Sequence, residues 1–179
     1  FKNYDNYLSS LKMKTALKEF KRNDINRITQ LINKTNQFNL TVKRLNLEDV
    51  VKISKNLNFL TISGNLIDKF GDNGLVTVLV GKIKKQAVDI TIWLMSCRVF
   101  NRNLELALFD HLVSLCQKKG ISTICGYYIK GRKNFIVKNF YETLGFKKIK
   151  NQKTENKWEF KITKKYITKN KMIKVNSEK

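Results

Sequence analysis

Residues 87–129 restrict the fold more than any other stretch of this chain. Ala87–Val99 reads AVDITIWLMSCRV, an apolar, β-rich run. Leu104, Leu106, Ala107, Leu108, Leu112, Leu115 and Cys116 then recur at helical spacing, and the pattern stops at Gly120, a good residue to follow a helix. Ile121–Ile129 is β-rich again. Strand, helix, strand in that order predicts a β-α-β unit whose two strands are parallel neighbours.

The flanking sequence fills in the rest. TALKEF, Thr15–Phe20, predicts a first strand, and Asn23 or Asp24 caps a helix carrying Ile25, Ile28, Leu31 and Ile32. Asn46 caps a second helix, NLEDVVKIS, with acids in its first turn. Asn58–Ile67, Gly74–Ile83 and the 87–99 strand predict an antiparallel meander turned by DKFGDNG and KIKKQ. Asn134–Leu144 predicts a helix ending at Gly145, and Phe146–Lys150 and Trp158–Ile162 two last strands. The expected order is β-α-α-β-β-β-α-β-α-β-β, an α/β (α+β) domain with a mixed, mostly antiparallel sheet and helices on both faces. Residues 1–14 are expected to be a linker or short helix, 15–163 the domain, and 164–179 a lysine-rich, frayed tail.

Composition removes several functions. No run of eighteen apolar residues and no signal-peptide core is present, so neither a membrane span nor a membrane partner is expected and a cytoplasmic chain is the default. Cys97, Cys116 and Cys125 lack metal-ligand spacing and are expected to be reduced and mostly buried; with His111 as the one histidine, no metal site is expected. The net charge of +22 attracts polyanions. Only six of the 36 basic residues are arginine and proline is absent, so much of that charge reads as compositional bias. Without a helix-turn-helix, zinc-ligand or RNP pattern, nucleic acid is not an expected partner.

The segment SCRVFNRNLE joins the central strand to its helix. Arg98, Val99, Asn101, Arg102, Asn103 and Leu104 can form a cradle of unpaired amides for phosphate or pyrophosphate, or an ordinary loop with solvated arginines. Asn134 precedes Tyr141 by two helical turns, which puts both on one face; Tyr141 can protonate a leaving group or simply pack in the core. Asp89 can serve as a general base if it faces a cleft, or be a solvated strand-end acid. Cys97 can carry an acyl thioester or be a buried thiol. Asn36, Gln37, Phe38, Asn39 and Thr41, on the first helix–helix connection, suit either recognition or self-capping. Asp72 and Asn73 suit either substrate contact or turn shaping.

RVFNRN followed by NFIVKNFYETLGF resembles the GNAT acyltransferase fold. The resemblance rests on Arg98, Asn134, Tyr141, Gly145 and Phe146. It implies that the turn grips the coenzyme A pyrophosphate, that Asn134 contacts the coenzyme and that Tyr141 protonates the leaving thiolate. The 34–44 connection would border the acceptor site. Four segments, KTNQFNLTVKR, DKFGDNGLV, SCRVFNRNLE and GRKNFIVKNFYETLGF, look more narrowly like the C-terminal part of FkbH-like proteins, fusions of a HAD-type phosphatase domain with a GNAT-like domain. That likeness implies an upstream HAD-like domain and an acidic acyl carrier protein as partner. Asn101 and Asn103 stand where the family usually has glycines, and asparagine tolerates left-handed backbone best among residues bearing a side chain. The implied donor is acetyl-CoA, another acyl-CoA or a carrier-protein phosphopantetheine. The implied function is acyl transfer or, alternatively, non-catalytic carrier-protein docking.

Overall fold

A computed structural model describes residues 3–177, with the side chain of Ser177 left aside. In chain order the elements are α1 (Tyr4–Ser10), β1 (Lys14–Lys18), α2 (Ile25–Lys34), β2 (Phe38–Asn39), α3 (Leu47–Lys55), β3 (Phe59–Asp68), β4 (Gly71–Lys84), β5 (Ala87–Met95), α4 (Leu104–Lys118), β6 (Thr123–Ile129), α5 (Phe140–Thr143), β7 (Lys147–Asn151), β8 (Glu155–Lys161) and β9 (Lys174–Ser177). The sheet runs β7-β8-β6-β5-β4-β3-β1-β9, with β2 added against β5. Only β5–β6 and β1–β9 are parallel among the described strands; the meander β3-β4-β5 is antiparallel as its turns predict.

Each face of the sheet has its own apolar cluster. Ile25, Ile28, Leu31 and Ile32 of α2 and Val50 of α3 pack on Val78, Val80, Ile92 and Leu94. The opposite face buries Leu104, Leu108, Leu112 and Cys116 of α4 with Trp93, Trp158 and Tyr141. The Asn46 side chain accepts from the Asp49 amide while the Asp49 carboxylate accepts from the Asn46 amide, a capping box that starts α3. Gly120 ends α4 at φ +70°.

One irregularity in β5 shapes everything downstream. Val80 pairs with Ile92 but Gly81 with Ile90, so Thr91 is an extra residue. The bulge switches faces: Val88 and Ile90 belong to the α4 cluster, Ile92 and Leu94 to the α2 cluster, and Trp93 and Met95 to the α4 cluster again. β5 stays paired with β6 only from Ala87 to Asp89, against Thr123 to Cys125, and the strands part beyond that point.

Three sequence expectations change and a fourth resolves between its alternatives. The 87–99 strand ends at Met95, because Cys97–Val99 turns as a 3-10 helix behind a Ser96 cap. The 134–144 helix is broken into a 3-10 turn, Phe135–Val137, and the four-residue α5, so Asn134 and Tyr141 do not share a regular helix face. Of the linker or short helix expected at the start, the described part is the helix, α1, with Leu8, Leu11 and Met13 buried against the sheet. The 164–179 tail is not frayed over its described part. Asp110 accepts from the Tyr166 hydroxyl at 2.5 Å and from the Lys169 and Asn170 amides, Ile173 is buried, and β9 pairs with β1.

Candidate functional site

The turn after β5, expected to cradle an anion, is left-handed at two positions and contains no glycine. Asn101 and Asn103 adopt left-handed conformations at φ 61° and 63°, the region that otherwise favours glycine. Asparagine tolerates this backbone better than other residues with a side chain, and at the head of α4 the Leu106 amide donates to the Asn103 carbonyl at 3.1 Å. Val99 and Leu104 are buried, so their contribution is backbone and packing. Arg98 is exposed. Arg102 turns toward α1: its Nη1 donates to the Tyr7 hydroxyl at 2.9 Å and its guanidinium lies over that ring. Tyr4 donates its hydroxyl to the Asn101 carbonyl, so α1 braces the turn from outside.

A groove of about 700 Å³ runs from this turn to the 135–143 segment. Phe38, Met95, Phe100 and Phe140 give it an apolar lining, with Glu105 and Lys138 as its charged groups. Glu105 lies in the first turn of α4, one carboxylate oxygen enclosed without a hydrogen-bond partner. Burial pushes its pKa above the usual carboxylate range. Sequence reasoning missed Glu105; an acid opening a helix reads as ordinary dipole compensation.

The parting of β5 and β6 is filled from within. Phe38 and Asn39 pair with Met95 and Leu94, the Leu40 amide donates to the Trp93 carbonyl at 3.1 Å, and Thr41 Oγ1 donates to the Thr91 carbonyl at 2.7 Å. On the other side the Ile129 amide donates to the Leu40 carbonyl at 2.8 Å. Asn134, fully buried, locks this wedge: its Nδ2 donates to the Asn39 and Ile129 carbonyls, and its Oδ1 accepts from the Gly131 amide and the Tyr128 hydroxyl. All four bonding positions of the amide are used, so none remains for a ligand.

Tyr141 is sealed in the core. Its ring lies on Gly126, where an added Cβ would come within 2.5 Å of it, and packs against Trp93, Phe140 and Phe146. The hydroxyl makes no well-formed hydrogen bond; the Tyr127 backbone lies beside it. Burial drives the phenol pKa far up. Tyr141 therefore does not reach the groove as a proton donor in this conformation.

The other sequence candidates separate. Asp89 is nearly buried, 3.0 Å from Lys84 Nζ, and accepts from the Tyr127 hydroxyl at 3.3 Å, so it is a paired sheet residue and not a free base. Burial and then the Asp89 charge push the Tyr127 phenol up to about 12. Asn36, Gln37, Phe38 and Cys97 do come together, lining a cavity of about 300 Å³ that shares Phe38, Met95 and Phe100 with the groove. Cys97 is exposed, contrary to the buried alternative, whereas Cys116 and Cys125 are buried. Asn39 is structural: its Oδ1 accepts from the Val42 amide and its Nδ2 donates to the Thr35 carbonyl. Asp72 and Asn73 shape their turn, bonding the Gly74 amide and the Leu66 carbonyl, and neither lines the groove. Among the described residues no cluster of His, Cys, Asp and Glu could hold a metal ion, and no helix is long and apolar enough to cross a membrane.

This mixed, mostly antiparallel sheet with one parting parallel pair and helices on both faces matches the GNAT fold. The ribosomal-protein-S18-alanine N-acetyltransferase from Escherichia coli superposes with a TM-score of 0.62 over 86% of this chain and 99% of its own, at 11% identity. The PaiA N-acetyltransferase from Thermoplasma acidophilum, solved in complex with coenzyme A, gives 0.63 over 83% and 99%, at 16% identity. Ard1 from Thermoplasma volcanium gives 0.60 over 84% and 99%, at 14% identity. No family model and no curated protein matches the sequence.

An extended acyl-CoA fits these residues only in part. Glu105 lies in the turn's groove with one carboxylate oxygen enclosed, and residues 38–41 already take the strand-edge hydrogen bonds where the sheet parts.

Proposed function

We infer that this domain binds an acyl thioester carried on a phosphopantetheine arm, in the groove between the Ser96–Asn103 turn and residues 135–143, and transfers the acyl group to an acceptor. The observation that supports this most is the left-handed pair Asn101 and Asn103, which keeps the cradle open at the head of an apolar groove without any glycine. The solved neighbours' acetyltransferase names agree with that reaction class. A carrier protein offers a single phosphodiester, which suits the turn beside Glu105 better than the diphosphate of coenzyme A. The FkbH-like resemblance, with its carrier protein and HAD-like partner domain, favours the same source.

Transfer forms a bond from the acceptor to the acyl carbon and breaks the carbon–sulfur bond; the acceptor gives up one proton and the departing thiolate takes one, so the proton count is unchanged. Glu105, not Tyr141, is the acid that lines the groove, and its burial favours the protonated form relative to a free carboxylate. The acceptor enters by the Cys97 cavity, past Asn36 and Gln37. A second reading, docking without catalysis, is favoured by the sealed Tyr141 and the filled wedge.

Calorimetry with holo acyl carrier protein and with acetyl-CoA, paired with a thiol-release assay, separates these outcomes. Carrier binding with thiol release that drops at least about tenfold in Glu105→Gln and little in Tyr141→Phe supports transfer. Carrier binding without thiol release supports docking alone. Absence of heat from both probes removes both readings.

A further inference from the structure

We propose that the pocket between the loop after β6 and the β7–β8 turn binds a small phosphorylated organic molecule, independently of the thioester groove. The cavity is about 480 Å³, within the range of small-molecule sites and far larger than bare phosphate requires. Lys130, Arg132, Lys138 and Lys153 line it, and no acidic residue does. None of these four forms a salt bridge with a described residue. Four cations in a chain this basic would mean little alone, but the floor of the pocket is specific.

That floor is Asn156 on β8. It is 4% exposed, yet its carboxamide makes no hydrogen bond among the described residues, and Oδ1 is wholly enclosed without a partner. A buried amide left this way costs about 1–3 kcal/mol, so native proteins rarely keep one without a use. Tyr128, paired across the sheet from Asn156, completes the floor and is held by its bond to Asn134. The walls are fixed to each other, since the Lys130 amide donates to the Thr154 carbonyl at 2.9 Å. Phe135, 72% exposed, gives the rim an aromatic face.

The chemistry selects the ligand class. A dianionic phosphate matches the Arg132 fork and three ammonium groups. The Asn156 Nδ2 donor, unpartnered among the described residues and not wholly enclosed, and the Phe135 ring remain for a polar and an apolar part of the same molecule, which bare phosphate lacks. Phe135 and Lys138 also line the thioester groove, so the two sites share one wall.

Phenyl phosphate, inorganic phosphate and benzoate, titrated separately into the whole chain by calorimetry, test this. The expected result is one phenyl phosphate per chain with Kd below about 1 mM, at least about tenfold tighter than either other probe. Arg132→Gln and Lys153→Gln, both at exposed positions, should each weaken it several-fold, and Asn156→Asp at least about tenfold by placing a carboxylate in the floor. Glu105→Gln should leave it unchanged. The proposal fails if phenyl phosphate binds no tighter than inorganic phosphate, or if Arg132→Gln and Lys153→Gln bind it normally. It fails equally if Glu105→Gln changes the affinity several-fold in either direction, which would put the ligand in the groove. Binding of a single-stranded oligonucleotide that requires Arg132 and Lys153, without phenyl phosphate binding, would replace it with a nucleic-acid surface. If Asn156→Asp does not fold, the two surface variants decide.

Discussion

Tyr141 and Glu105 show how burial assigns roles that residue type leaves open. The Tyr141 hydroxyl is enclosed and poorly bonded, so removing it should relieve a desolvation cost. Tyr141→Phe is expected to stabilise the chain by about 1 kcal/mol in denaturant unfolding, because the ring keeps its contacts. A loss beyond that amount would mean the hydroxyl has a partner. Glu105 gives a signed pH effect. Its folded pKa lies above the unfolded value, so the folded state holds the proton more tightly. Stability from this group is therefore full below the unfolded pKa and falls as pH rises through the folded one. Glu105→Gln should unfold at a higher temperature than the parent at neutral pH, with the gap closing near pH 4. A gap that widens toward acid would show a paired, depressed carboxylate instead.

At the scale of elements, the bulge at Thr91 and the segment 38–41 act together. The bulge bends β5 away from β6, and the segment supplies the hydrogen bonds the parted strands lose. Val42 ends that segment at φ 48°, an unusual conformation for a β-branched residue, which the Asn39 side chain holds by accepting its amide. Asn134 ties both sides, so Asn134→Ala should cost about 3 kcal/mol and speed hydrogen exchange at Leu40 and Ile129 before the rest of the sheet. Uniform exchange across β3–β6 would mean the wedge does not open locally. The tail is a second device. Asp110 gathers the Tyr166 hydroxyl and two tail amides, which fastens β9 to the edge of the sheet. Asp110→Ala should lower stability by about 2 kcal/mol and expose residues 166–177 to protease; a tail that stays protected would place its hold in β9 alone.

For the whole molecule, net charge +22 governs encounter more than fold. Under the proposed carrier-bound donor, association with an acidic acyl carrier protein should slow as ionic strength rises from about 0.05 M to about 0.5 M, with dissociation changing less. Stopped-flow measurement of both rates checks this, and a salt-independent association rate would make the basic surface a matter of composition alone. The two apolar clusters show why the layout was readable while the site was only partly so. Ile25, Ile28, Leu31 and Ile32 announce α2 by spacing, and Leu104–Cys116 announce α4. The Asn101–Asn103 turn was readable because left-handed backbone has few tolerant residue types. Glu105 and Asn156 were not, since both look like surface residues until their neighbours are known.

By itself the sequence determined the β-α-β centre, the antiparallel meander, the Asn46 cap of α3 and the left-handed turn at Asn101 and Asn103, all of which depend on neighbours within a few residues, whereas Asp24 starts α2 without a side-chain cap. Tertiary structure alone decided that Phe38–Thr41 would lodge between β5 and β6, that the tail would join β1, and that Tyr141 would face the core. Those outcomes depend on which surfaces, distant along the chain, lose the most water and satisfy the most hydrogen bonds when brought together, a competition that local spacing does not record.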